Sequence, residues 1–130
     1  MPVMFNHTIV QSRDSHASAA FTAEMLGLSG PQQWGPFDVV TADNDANIDF
    51  MDAAGDITPQ HYAFLVGESD FDAIFGRIRE RGLRYWADPA RTKEGNINRH
   101  DGGRGVYFEN PDGHLMEVIT RPYGSGGWNP

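Results

Sequence analysis

The sequence predicts an α+β fold of two pseudo-equivalent βαβββ modules, paired so that their curved half-sheets form a cup. Three observations carry this. The order strand, helix, strand, strand occurs twice along the 130 residues. Each occurrence opens on a strand that carries a histidine, first His7 and then His61. The second closes on a hairpin signal, two apolar runs about the turn Asn110-Pro111-Asp112-Gly113.

The elements follow in order. Phe5 to Gln11 is apolar and β-branched, a strand candidate. Asp14 or Ser15 can cap a helix whose apolar positions Ala17, Phe21, Met25 and Leu28 define one stripe; Gly27 and Gly30 end it, with Pro31 beyond. Phe37 to Thr41 and Asn47 to Met51 read as strands joined by the Asp43-Asn44-Asp45 turn. His61 to Val66 is nearly all apolar, the pattern of a strand buried on both faces. Ser69 reads as the cap of a second helix, with Asp72 three residues on. That helix carries Phe71, Ile74, Phe75 and Ile78 on one side and ends at Gly82. Leu83 to Trp86 is a short strand, residues 87–105 a polar Gly-rich loop, and Gly105 to Glu109 with His114 to Arg121 the closing hairpin.

This length predicts one domain, residues 1–130, with modules at about 5–53 and 59–122 and a Gly-rich tail at 123–130. The tail reads as a frayed end, with folding over the cup as the alternative. Ten Lys and Arg against 18 Asp and Glu give a net charge of −8. Such a surface repels a phosphate backbone and an anionic membrane, so no nucleic acid and no membrane partner is expected. The absence of cysteine excludes disulfides, thiolate metal sites and Cys nucleophiles. The first residues lack the basic and long apolar segments of a signal peptide, and no run approaches the ~20 apolar residues of a membrane span. A cytoplasmic location is the expectation.

His7 and His61 sit among apolar strand neighbours, and Glu117 is centred in Leu115-Met116-Glu117-Val118-Ile119. A carboxylate there needs a cation, a metal or solvent. Two His and one carboxylate make the ligand set that holds Fe(II), Mn(II) or another divalent ion with open positions. A buried histidine held by a backbone carbonyl is the competing reading for either one.

The run Val106 to Glu117 closely resembles the closing hairpin of the vicinal oxygen chelate superfamily, which includes glyoxalase I, fosfomycin-resistance enzymes, bleomycin-binding proteins and extradiol dioxygenases. Asn6-His7-Thr8-Ile9-Val10 is similar to its opening strand, Leu26-Gly27-Leu28 to the end of its first helix, and Gln60-His61-Tyr62-Ala63-Phe64 to the start of its second module. The resemblance spans residues 5 to 122. It implies the paired fold and a metal held by His7, His61 and Glu117, with Fe(II) first and Mn(II), Zn(II) or Ni(II) as alternatives.

From Asn98 to Glu117 the pattern resembles the extradiol dioxygenase signature, which implies that His100 and Tyr107 manage protons of a catechol-like substrate. No His lies between His61 and His100, where larger two-domain dioxygenases keep a further acid–base residue. The glyoxalase I branch implies a fourth ligand, for which the first module offers Asp49, one methylene shorter than the usual Glu; a solvated strand residue is the competing reading. The cation-binding loop of the fosfomycin branch reads Gly102-Gly103-Arg104-Gly105 here.

The function expected is that of a divalent-metal-dependent enzyme acting on a small molecule that chelates through vicinal oxygens, a ring-cleaving dioxygenase first. The alternatives are a glyoxalase-type lyase or isomerase, and a bleomycin-resistance-like protein binding a small aromatic antibiotic. In the latter, Phe37, Phe50, Phe64, Trp86, Tyr107 and Tyr123 would line an aromatic pocket. The resemblance also implies a homodimer, in which the two histidines of one site can come from one chain or from two.

Overall fold

The computed structural model describes residues 2–126. The chain forms two compact units, Met1–Thr58 and Pro59–Pro130. Each is a four-stranded mixed sheet with one helix, so the expected α+β repeat of βαβββ modules is what the chain builds.

In the first unit β1 (His7–Ser12) is followed by α1 (Ser15–Leu26), β2 (Gln32–Trp34), β3 (Phe37–Thr41) and β4 (Asn47–Asp52). The sheet order is β1-β4-β3-β2, with β1 parallel to β4 and the other pairs antiparallel. The strand Gln32–Trp34 has no periodic signal in the sequence; it forms as an outer strand against Phe37–Val39. The Asp14 carboxylate accepts the Ala17 backbone N–H at 3.1 Å, which caps α1, and Gly27 closes it at φ 70°, where a side chain is disfavoured.

The apolar stripe expected of α1 is not the face it buries. Of Ala17, Phe21, Met25 and Leu28 only Met25 is buried. The inward face is instead Ser15, Ser18, Ala19, Thr22 and Ala23 with Met25. Small residues let the helix approach the sheet closely, and the hydroxyls find partners: Ser15 Oγ donates to Asp38 Oδ2 at 2.6 Å and Thr22 Oγ1 to the Ser18 carbonyl at 2.9 Å. With Val10, Val40, Ile48 and Phe50 these residues form the unit's core.

In the second unit β5 (His61–Leu65) precedes α2 (Glu68–Glu80), β6 (Tyr85–Trp86), β7 (Gly105–Glu109) and β8 (Leu115–Ile119), in the order β5-β8-β7-β6. Helix α2 begins one residue before the expected Ser69 cap: Gly67 stands at the cap position with no side-chain bond. Glu68 and Asp70 in the first turn, with Arg77 and Arg79 in the last, complement the helix dipole instead. Phe71, Ile74 and Ile78 are buried, as the spacing predicts.

β5 is not buried on both faces as its apolar run implies. His61, Ala63 and Leu65 are exposed, because the strand lies at the edge of its sheet with β8 on one side only. The hairpin forms as expected: Gly113 takes φ 85°, and Asn110 Oδ1 accepts the backbone N–H groups of Asp112 (3.0 Å) and His114 (2.8 Å). Phe50 and Trp86 are 1% and 2% exposed, so both belong to cores and neither lines an aromatic pocket. Among the described residues no helix is long and apolar enough to cross a membrane.

Candidate metal centre

The second unit brings together four of its expected or neighbouring polar groups on one sheet face. Parallel pairing sets His61 beside Leu115 and Ala63 beside Glu117, while antiparallel pairing sets Tyr107 opposite Glu117. His61 Nδ1 lies 3.0 Å from the Leu115 carbonyl oxygen, which can only accept, so this nitrogen carries the proton. Nε2 then faces Glu117 Oε1 at 3.0 Å. Glu117 is 1% exposed, and its other oxygen, Oε2, accepts a short hydrogen bond from the Tyr123 hydroxyl. Tyr123 spends its one hydroxyl proton on Glu117, so at the 3.1 Å contact between the phenols Tyr107 is the donor. The Tyr107 ring stacks on the His61 ring at 5.8 Å, and the His100 ring meets the Tyr123 ring edge-on at 6.2 Å.

This arrangement is electrostatically incomplete without a cation. A neutral imidazole with its proton on Nδ1 presents a lone pair to a carboxylate lone pair, and the carboxylate is out of water. Either a second imidazole proton or a metal ion must mediate the contact. A ligating histidine that donates its remote N–H to a backbone carbonyl is the usual support of a metal site. The donor set therefore fits a divalent ion. Burial drives the Tyr107 hydroxyl up to about 12, with the Glu117 charge adding to it. Burial first, then the bond to Glu117, pushes Tyr123 upward too. Both phenols are proton donors at neutral pH, which matches a donor role for Tyr107.

The other expected residues lie in the first unit. His7 Nδ1 contacts Asn6 Oδ1 at 2.7 Å; with that oxygen accepting, His7 likewise turns Nε2 outward as an electron-pair donor. Asp49 is 9% exposed rather than solvated, and its Oδ1 has no hydrogen-bond partner among the described residues. Both line a cleft of about 840 Å³ in this unit, together with Trp34, Thr41 and Asn47. The lining holds Asp43, Asp45 and Asp49 but no Lys or Arg. No group of three or more His, Asp or Glu among the described residues is clustered for an ion; the second unit supplies the pair His61 and Glu117.

Two contributors have no signal in the sequence's periodicity. Tyr123 lies beyond β8 and reaches back to Glu117. Trp34, 71% exposed on the three-residue β2, stacks with Phe37 at 6.3 Å. Asp101 had a readable sign, the Asp-Gly pair at 101–102: it takes φ 58° in a 3-10 turn over His100–Gly102. The last four residues of the tail, with Trp128, lie outside the described residues.

A repeated βαβββ fold with a His–Glu pair on the sheet face defines a class, and comparison with known proteins agrees. The family model described as Glyoxalase/Bleomycin resistance protein/Dioxygenase superfamily matches residues 4–118, and the chain belongs to that superfamily. Within it, the solved structure of Oxidase ChaP-H1 is 60% identical, with a TM-score of 0.93 over 95% of this chain and 99% of that one. Oxidase ChaP-H2 is also 60% identical, with a TM-score of 0.95 over 98% and 100%. Glutathione transferase FosA of Serratia marcescens is 29% identical over 119 residues, covering 87% of this chain and 77% of the relative. A lactoylglutathione lyase from Agrobacterium tumefaciens, 18% identical with a TM-score of 0.68 over 92% of this chain and 94% of that one, shares the fold.

Proposed function

We propose that the protein is a divalent-metal-dependent enzyme of oxidase type acting on a small aromatic molecule with adjacent oxygens, cleavage of a catechol-like ring being the favoured reaction. The carrying observation is the His61–Glu117 contact, a buried carboxylate facing an imidazole lone pair at 3.0 Å. Two relatives at 60% identity bear the name oxidase, which supports this class over lyase or isomerase chemistry.

His61 and Glu117 hold the ion, and His7 is the third ligand, drawn from the first unit of the same copy or of a second copy in a homodimer. Fe(II) is the first choice, with Mn(II), Zn(II) or Ni(II) as alternatives. When bound, the ion supplies Lewis acidity for two adjacent substrate oxygens and, for iron, redox chemistry with dioxygen. Tyr107 stays protonated, and its hydroxyl, which donates to Tyr123 in the free protein, would turn to donate toward charge that develops on a substrate oxygen. His100, a half-buried imidazole beside Tyr123, is the group assigned to accept a substrate hydroxyl proton. Asp49 is assigned to a substrate hydroxyl, since its unpartnered Oδ1 is a ready acceptor; a fourth metal ligand is the alternative role. The two units act together as one functional domain.

The first unit's cleft also bears on substrate charge. Three aspartates and no Lys or Arg make it a poor host for a thiolate tripeptide or a phosphonate. An uncharged or cationic aromatic suits it better, with Trp34 as a stacking wall.

Metal analysis of untagged protein purified anaerobically, before and after mild chelation, tests the proposal together with Glu117→Gln. About one ion per chain, lost in the variant, followed by oxygen uptake with catechols, is the expected result. A wild-type protein that stays metal-free in excess Fe(II), Mn(II), Zn(II) and Ni(II), yet binds aromatic ligands in EDTA, would overturn it in favour of an antibiotic-binding protein. Turnover of hemithioacetals, or of fosfomycin with glutathione, would place it in the lyase or transferase branch.

A further inference from the structure

We infer that the segment from Pro122 to Gly126 is a strap that sets the orientation of Glu117, with Tyr123 as the positioning residue and Asp101 as its anchor. The inference rests on the metal-binding role of Glu117 proposed above.

A carboxylate on a strand can rotate about its last side-chain bond, and only some orientations aim Oε1 at His61 Nε2. The Tyr123 hydroxyl donates to Oε2, and Tyr107 donates to the Tyr123 oxygen at 3.1 Å. The phenol pair therefore holds one carboxylate oxygen and leaves the other directed at the imidazole, 3.0 Å away. Such outer support of a ligating carboxylate acts on metal affinity rather than on the fold.

The strap is itself built in. Asp101 is buried at φ 58°; its Oδ2 accepts the Gly124 backbone N–H at 3.1 Å and its Oδ1 that of Gly126 at 3.0 Å. Gly124 takes φ 84°, and a Cβ on Gly126 would collide with the Asp101 carbonyl oxygen. Arg121 Nη2 donates to the Ser125 carbonyl at 3.2 Å. A frayed terminus has no use for glycines at a left-handed turn and a backbone contact, nor for a buried carboxylate that binds two strap amides on either side of Ser125.

The test is Mn(II) binding to the full-length protein, by titration with the electron paramagnetic resonance signal of free Mn(II), beside a thermal melt. Tyr123→Phe keeps the ring and removes the hydroxyl. It should weaken Mn(II) binding about tenfold at an unchanged Tm. Gly126→Ala alters no side chain of the centre and should weaken binding to a similar degree by lifting the strap and Tyr123 with it. The double variant should lose no more than Tyr123→Phe alone, because both break one linkage. Wild-type binding with undiminished affinity in Tyr123→Phe overturns the strap and leaves the metal centre standing. Failure of the wild type to bind Mn(II), Fe(II) or Zn(II) overturns both.

Discussion

The two units share strand order and helix placement, yet they are held by opposite packing chemistry. Helix α1 lays small and hydroxyl-bearing residues on its sheet, whereas α2 buries Phe71, Ile74 and Ile78. The same contrast runs through the sheet faces that carry the candidate site. The first unit presents an acidic cleft with one orphaned carboxylate oxygen, and the second a closed chain of phenols and a carboxylate ending on a histidine. A repeated topology thus leaves free what each half carries: an acidic cleft in one, a buried carboxylate paired with a histidine in the other.

That contrast can be broken at several points. The largest effect is expected in the second unit, where Phe71→Ala removes a fully buried ring. It should destabilise the protein by about 3–5 kcal/mol in urea unfolding. In the first unit the fragile direction is reversed. Ala23→Leu should cost about 1–3 kcal/mol by forcing α1 away from its sheet, and Ile78→Val in α2 only about 0.5–1.5. If Ala23→Leu were neutral in the same assay, close approach would not be what small residues supply.

The division of labour itself is sharpened by mixing. His7→Ala and Glu117→Gln should each be inactive alone. Refolded together they should recover up to about a quarter of the wild-type sites if each centre draws on two copies, since half the random pairs are mixed and carry one intact centre of two. No recovery would place both units of a site in one chain.

A smaller effect is expected at Arg104, which links the second unit's helix to its sheet. Its guanidinium bonds Glu68 and Asp72 at 2.8 Å each and lies 4.4 Å over the Phe71 ring. A hydrogen bond from Thr120, then the bond to Arg104, holds Glu68 below its ordinary carboxylate value. A depressed folded value contributes stability that is present above the unfolded value of about 4.3 and is lost as pH falls through the folded one. Glu68→Gln should therefore be less stable than wild type at pH 7, with the gap closing toward pH 3. The group is exposed, so the gap should be slight and shrink further in salt.

Legibility in the sequence followed how local the determining physics was. The Asn110–Gly113 turn, the Gly27 stop and the Phe71/Ile74/Ile78 face are set by residues a few positions apart, and each forms as read. Apolarity alone points to the wrong face of α1, because closeness to the sheet favours Ala19, Ala23 and the serines. The apolar run of β5 concealed an edge position, which depends on strand order rather than composition. Of the site, the pairing of His61 with Glu117 was legible through resemblance. The reach of Tyr123 was not, since it depends on long-range bonds from the Gly124 and Gly126 amides to Asp101. Solvation, the competing reading of Asp49 and the usual state of an aspartate, gives way to burial between its neighbours in register, Ile9 and Val39.

The parallel pairing of β5 with β8 has a consequence in time. The β7–β8 hairpin closes a short loop and can form in about 1–10 μs, whereas β5 must wait for the whole helix and loop between to be spanned. His61 rides on that late strand, and Glu117 on the early one. The nascent hairpin therefore carries a carboxylate without its imidazole, and if the proposed centre binds a divalent ion, one offered during refolding should be captured only in the last kinetic phase. Ion uptake would then serve as a clock for completion of the native sheet.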